Sequence, residues 1–218
     1  MSSIASYLEH TILKPDCTLN EVRRVCEEAL QHEFAAVCIP PFFVRDARRF
    51  LGEGKAPRLA TVVGFPMGYN AIAAKSEEIR RATDEGADDI DAVINIAAVK
   101  SGNWNHVEHD IDGLARATHM RGRTLKLILE CGLLNAEEMT RIGQMASEMK
   151  VAFLKTGTGF NGFPATVEMV KFLKGLSLPG MRIKAAGGIR TLKDAEAMIA
   201  AGADRLGTSA SLALVGAK

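Results

Sequence analysis

The sequence has no two cysteines at C-x-x-C spacing. Its four, Cys17, Cys26, Cys38 and Cys131, are scattered along 218 residues. Neither a disulfide framework nor a thiolate metal cage follows from them, and they read as reduced thiols of a cytoplasmic protein. No uninterrupted apolar run approaches the roughly 20 residues that a membrane span needs. The opening Met1–Tyr7 carries no basic region followed by an apolar stretch, so no signal peptide is expected. Excess charge of one sign is missing as well. Lys and Arg number 27 against 26 Asp and Glu, which leaves no footprint for nucleic acid or an anionic membrane. His106 and His109 stand three apart after Trp104 without a carboxylate or cysteine set at ligand spacing. They read as a solvated helix face, and no metal is expected.

What is present is the composition of an ordinary globular protein, 47% hydrophobic and 24% charged, with ample material for a core. Short apolar or β-branched runs alternate with segments of helical period. The runs are Tyr7–Leu13, Ala35–Ile39, Leu59–Phe65, Asp89–Ile96, Thr124–Glu130, Val151–Thr156, Arg182–Ala186 and Arg205–Thr208. Between them lie helical patterns over Leu19–His32, Val44–Leu51, Ala73–Glu85, Trp104–His119, Ala136–Lys150, Pro164–Leu176 and Leu192–Ala201. Thr18, Asn135 and Thr191 each precede a first turn with an acidic residue three positions on, the pattern of a capping box. Gly86 and Gly202 both sit in Gly-Ala-Asp sequences where a helix should stop before the next strand.

Eight strand–helix units without a long linker predict one domain over residues 1–218, a (β/α)8 TIM barrel. A doubly wound open sheet is the alternative. The polarity within strands favours the barrel. Asp89 and Asp91 share one face of the fourth run, Lys126 and Glu130 one face of the fifth, and Arg182 and Lys184 one face of the seventh. An open sheet covered by helices would be apolar on both faces.

The run Val151-Ala-Phe-Leu-Lys155 is expected to deliver a lysine to the edge of a glycine-rich turn. Leaving an ammonium among apolar neighbours costs several kcal/mol unless it is paired or gives up its proton. Strand ends and inward faces together offer Asp91 and Asn95, Lys126 and Glu130, Lys155, and Lys184. A second ammonium, Lys184, beside Lys155 would favour the neutral amine that Schiff-base chemistry needs. Asp91 offers a carboxylate for proton transfer. Alternatively, Asp91 or Glu130 simply neutralises a buried lysine.

Barrels commonly bind phosphate with the loops after strands seven and eight. Here those are Ala186-Gly187-Gly188-Ile189 and Gly207-Thr208-Ser209-Ala210-Ser211. Gly157 and Gly159, after Lys155, are placed to complete the pocket.

The stretches Glu9-His-Thr-Ile-Leu-Lys-Pro15, Val63-Gly-Phe-Pro66, Gly86-Ala-Asp-Asp-Ile-Asp-Ala-Val-Ile-Asn95, Phe153-Leu-Lys-Thr-Gly-Thr-Gly-Phe160, Ile183-Lys-Ala-Ala-Gly-Gly-Ile-Arg190 and Arg205-Leu-Gly-Thr-Ser209 occur in order, each on its own strand. With them the chain resembles the deoxyribose-phosphate aldolase family nearly end to end. The resemblance implies a class I aldolase on a (β/α)8 barrel that needs no metal and no cofactor. It implies reversible cleavage of 2-deoxy-D-ribose 5-phosphate to acetaldehyde and D-glyceraldehyde 3-phosphate, with a role in deoxyribose phosphate catabolism. It places the Schiff-base lysine at Lys155, the perturbing lysine at Lys184 and the proton-relay aspartate at Asp91. The phosphate ligands fall on Gly159, Gly187, Gly188, Gly207 and Ser209. The expected partners are the sugar phosphate and acetaldehyde, with no nucleic acid and no membrane, in a homo-oligomer of two or four chains. A related Schiff-base aldolase with another donor and a sugar-phosphate isomerase on the same barrel are the alternatives. The isomerase would need no imine, and the Lys155–Lys184 pair counts against it. The chain departs from the family at Glu9, often Asp, at Gly157 and Ala186, commonly serines, and at Ala210, often a second serine.

Overall fold

A computed structural model of the protein describes residues 3–52, 54, 56–176 and 178–217. Its strands are β1 (Leu8–Thr11), β2 (Ala36–Ile39), β3 (Arg58–Val63), β4 (Asp89–Val93), β5 (Thr124–Ile128), β6 (Phe153–Lys155), β7 (Arg182–Ala186) and β8 (Arg205–Thr208). They close in chain order into an eight-stranded barrel. The closing pair is parallel, with Glu9 of β1 opposite Gly207 of β8. That contact rules out the open sheet and gives the expected (β/α)8 barrel.

Around it run α1 (Leu19–Gln31), α2 (Val44–Leu51), α3 (Ile72–Asp84), α4 (Ile96–Lys100), α5 (Trp104–His119), α6 (Ala136–Glu148), α7 (Val167–Gly175), α8 (Leu192–Ala200) and α9 (Ser211–Leu214). Thr18, Asn135 and Thr191 each form a reciprocal capping box with the acid three positions on. Each box satisfies two backbone donors that the first turn leaves orphaned. Both Gly-Ala-Asp sequences end a helix in the same way. Gly86 and Gly202 take φ of 110° and 109°, a left-handed conformation that favours glycine. The aspartates that follow latch to the preceding strand. Asp88 N donates to Leu59 O at 2.7 Å while its carboxylate accepts Leu59 N at 3.0 Å. Asp204 N donates to Ile183 O at 2.8 Å and its carboxylate accepts Ile183 N at 2.8 Å.

Several boundaries differ from the sequence expectation by one to three residues, two of them for a visible reason. The fourth strand ends at Val93 rather than Ile96, because Asn95 caps the short helix α4 by accepting from Ala98 N at 3.0 Å. The seventh helix starts at Val167 rather than Pro164, because Thr166 is its N-cap and Ala165 N is drawn to Gly187 O at 3.0 Å.

Alternate strand residues face opposite ways, and this divides the core in two. Val37, Leu59, Ile90, Leu125, Leu127, Leu154, Ile183 and Leu206 face the helices in one continuous apolar layer. Each such side chain contributes about 1.5–3 kcal/mol on burial. Inside the barrel the apolar part is small: Cys38, Ala60 and Val62 cluster with Leu13 and Phe65 packed against them, and the Phe153 ring lies under Lys126. Much of the rest of the interior is charged.

Candidate active site

The inward faces of five strands supply the charged groups. Register places Asp91 of β4 beside Lys126 of β5, and Lys155 of β6 beside Lys184 of β7. Glu9 reaches in from β1. All five are buried, and none is more than 3% exposed.

Lys155 Nζ lies 2.8 Å from Asp91 Oδ2, and Lys184 Nζ lies 2.7 Å from the same oxygen. Lys184 also donates to Glu9 Oε2 in a very short contact. Below them Lys126 Nζ stands 3.0 Å from Glu9 Oε1, 2.8 Å from Asp89 Oδ2 and 3.3 Å from Asp91 Oδ1. Arg58 closes the lower edge on Asp89. The network therefore holds four cationic side chains, Arg58, Lys126, Lys155 and Lys184, against three carboxylates, Glu9, Asp89 and Asp91. One positive charge is in surplus. Among the described residues, Lys126 and Lys184 each pair with more than one carboxylate, whereas Lys155 pairs with Asp91 alone.

Burial alone would lower the Lys184 ammonium, but Asp91 and Glu9 outweigh it and push the group up to about 12. Lys126 is likewise carried well above the ordinary lysine range, as Asp89, Asp91 and Glu9 overcome its burial. Burial would raise the Asp91 carboxyl, yet Lys126, Lys155 and Lys184 together hold it well below the usual carboxylate range. In the resting site Lys184 is thus held as a cation and Asp91 as an anion. The two ammonium groups do not simply oppose one another, since the Asp91 carboxylate oxygen is shared between them.

Lys155 and Lys184 line a cavity of about 760 Å³, together with Gly159, Gly187, Gly188, Gly207 and Ser209. Lys155, Lys184 and these five loop residues thus line one cavity, and Asp91 touches both lysines. The β7 and β8 loops are tied to each other through Thr208, whose hydroxyl donates to Ile189 O at 2.6 Å and accepts from Ala210 N at 3.0 Å. Gly187 and Gly188 have φ of 104° and 77°. Gly207 is glycine for a steric reason: a Cβ there would stand 3.1 Å from both Ala186 Cβ and Lys184 Cε.

Other expected positions serve different ends. Asn95 caps α4, its amide nitrogen lies 3.2 Å from His106 Nε2, and it does not line the cavity. Gly157 does not line the cavity; a Cβ there would meet Glu130 Oε1 at 2.6 Å. Glu130 itself binds the lysine loop, accepting from Thr158 N at 3.2 Å and Asn161 Nδ2 at 2.9 Å. Sequence reasoning missed Glu9 as a member of the cluster. Its signal was a carboxylate on a strand that is otherwise buried. It also missed the wider cavity wall on β1 and α1, which includes Lys14, Arg24 and Glu28. Among the described residues, no group of three or more His, Cys, Asp or Glu is arranged to hold a metal ion.

Residues 4–215 match the profile of the DeoC/LacD family aldolases. The chain belongs to that family. The aldolase is 43% identical over 213 residues to the deoxyribose-phosphate aldolase of Thermococcus gammatolerans, covering 97% of this chain and 95% of the relative. It is also 43% identical over 213 residues to that of Deinococcus radiodurans, covering 98% and 96%. Among solved structures it superposes on the tetrameric deoxyribose phosphate aldolase of Aeropyrum pernix with a TM-score of 0.89 at 28% identity, covering 98% of this chain and 89% of that one.

Proposed function

We propose that this aldolase reversibly cleaves 2-deoxy-D-ribose 5-phosphate to acetaldehyde and D-glyceraldehyde 3-phosphate through an imine on Lys155. One observation carries the proposal: two buried lysines share Asp91 Oδ2 at the floor of a cavity whose far wall is the β7 and β8 loops. The named relatives, alike over nearly the whole chain, support the same substrate.

The amine of Lys155 adds to the C1 aldehyde of the open-chain sugar, and loss of water from the carbinolamine gives an iminium. The C3 hydroxyl then loses its proton and becomes a carbonyl. The C2–C3 bonding pair moves into the iminium system as an enamine, and glyceraldehyde 3-phosphate departs. The enamine takes a proton at C2, and water hydrolyses the new iminium to acetaldehyde and free Lys155. Asp91, held as a carboxylate, accepts and returns these protons through a water, and the neighbouring Lys184 ammonium stabilises its anionic form. The imine is the electron sink, so the scheme calls on no metal or cofactor.

The phosphate would rest on backbone at Gly159, Gly187, Gly188 and Gly207 and on the Ser209 hydroxyl. Binding at this remote end orients C1 against Lys155 and so contributes to the rate of the chemical step. Among the described residues no helix is long and apolar enough to cross a membrane. A place in cytoplasmic deoxyribose phosphate catabolism as a homo-oligomer, a dimer or tetramer, completes the proposal.

Incubation with 2-deoxy-D-ribose 5-phosphate, with acetaldehyde read through a coupled alcohol dehydrogenase, tests it. Acetaldehyde should form with the native chain and not with Lys155→Ala. No acetaldehyde from the native chain, with ribose 5-phosphate converted to a ketose phosphate in a parallel incubation, would make the protein an isomerase instead.

A further inference from the structure

Glu130 stands two residues past the end of β5 and is buried. Its backbone takes φ of 57°, a left-handed conformation that an L side chain rarely adopts. Among the described residues only Glu33 and Lys150 share this feature without being glycine. Both are exposed, and each follows the C-cap of a helix, α1 or α6. Glu130 follows a strand instead. Such a conformation persists where its surroundings hold it in place.

The backbone on either side of it is tied to β6. Leu129 N donates to Lys155 O at 3.0 Å, and Cys131 N donates to Thr156 O at 2.7 Å. The side chain then grips the next turn. Its carboxylate accepts from Thr158 N at 3.2 Å, from the Thr158 hydroxyl at 2.5 Å and from Asn161 Nδ2 at 2.9 Å. The same hydroxyl accepts from Phe160 N at 3.0 Å. Gly159, between them, has φ of 80°, and a Cβ there would lie 3.7 Å from Gly187 Cα. Within five residues, therefore, Lys155 is fixed in the sheet, Thr158 on Glu130, and Gly159 against the β7 loop. Lys155, Thr158, Gly159 and Gly187 all line the large cavity, and Glu130 does not.

We propose that Glu130 is a positioning residue: acting through Thr158, it sets the separation between Lys155 and the phosphate-binding loops, and so makes cleavage depend on the phosphate. The inference rests on the reading of the site as a Schiff-base aldolase of a phosphorylated sugar. Three donors converge on the two oxygens of one carboxylate, a group that only accepts. An amide in its place has one accepting oxygen and turns an NH2 toward some of the same donors, so the turn has to shift. Binding at the phosphate end serves the chemical step only while it holds the reacting carbon against Lys155, and a misplacement of about 1 Å can cost about 10²-fold. A sugar without phosphate has no such remote contact to lose.

The experiment measures kcat/KM for 2-deoxy-D-ribose 5-phosphate and for 2-deoxy-D-ribose in the native chain, Glu130→Gln and Asn161→Ala. Circular dichroism checks the fold, and borohydride trapping of acetaldehyde on Lys155 checks the imine. In Glu130→Gln the ratio of the phosphorylated to the unphosphorylated value should fall about tenfold or more, with the adduct on Lys155 still formed. Asn161→Ala removes one donor and leaves the carboxylate, so it should move the ratio the same way by less. Should Glu130→Gln fail to fold, Asn161→Ala decides. A ratio unmoved in the folded variants, whether both values fall together or neither falls, overturns the positioning role while leaving the imine standing. A native chain that cleaves neither sugar overturns the aldolase reading, and the positioning role with it.

Discussion

Lys155 and Lys184 approach one carboxylate oxygen, Asp91 Oδ2, at 2.8 and 2.7 Å. A carboxylate in that place does two things. It keeps two like charges from opposing each other directly, and it sits within proton-transfer reach of the amine proposed to form the imine. Glu9 takes up the other side of Lys184, so the charge of Lys184 is held whether or not Lys155 carries a proton.

Asp91→Asn keeps the shape of the side chain and removes its charge and its basicity. We expect kcat for cleavage to fall by about 10²- to 10⁴-fold, the range that general acid–base catalysis supplies, with the protein still folded. Steady-state kinetics beside a circular dichroism spectrum would check this. An unchanged kcat would take Asp91 out of the proton route.

Glu9→Gln removes one anion from beneath two buried ammonium groups, Lys126 and Lys184. Breaking a buried pair by loss of one partner costs about 3–5 kcal/mol. Urea unfolding should show a loss of that order, and a loss below about 1 kcal/mol, the scale of an exposed pair, would mean that Glu9 is not essential to the cluster.

Stability at high pH follows from Lys184. Its folded value of about 12 lies above the roughly 10.4 of an unfolded lysine. The stabilisation is fully present below about 10.4 and is lost as pH rises through about 12. Asp91 has the opposite sense. Its carboxyl is held below the usual range, so its contribution is present above the unfolded value of about 3.9 and is lost as pH falls through the folded one. Melting temperatures between pH 9 and 12.5 should fall more steeply for the native chain than for Lys184→Met. Parallel curves would contradict this.

Ser209→Ala tests the phosphate end. A hydrogen bond to a charged group contributes about 1.5–3 kcal/mol, so KM for the phosphorylated sugar should rise by roughly 10- to 100-fold. Unphosphorylated 2-deoxy-D-ribose should show no such change. An equal effect on both sugars would mean that Ser209 acts on the loop rather than on phosphate.

The fold was legible because polarity and period agreed. Arg182 and Lys184 on one face, with Ile183 on the other, are what a charged interior inside a ring of helices requires, and β7 and β8 have their expected limits. Lys155, Lys184 and Asp91 could be grouped because each is a charged residue on the inward parity of its strand. Glu9 could not be joined to them so readily. Its partner Lys184 is 175 positions away, and the contact exists only because β8 closes on β1. Asn95 continued the parity of Asp89 and Asp91, but its side chain caps a helix that short-range alternation does not reveal. Gly157 stood in a glycine-rich loop and suggested a phosphate contact, whereas the space beside it is filled by Glu130 from the end of β5.

Reductive trapping tests the central claim most directly. The protein is incubated with acetaldehyde and borohydride, digested, and its peptides are read by mass spectrometry. An ethyl group should appear on Lys155 and should be lost in Lys155→Ala. A native chain that cleaves 2-deoxy-D-ribose 5-phosphate while Lys155 remains unmodified would contradict the account.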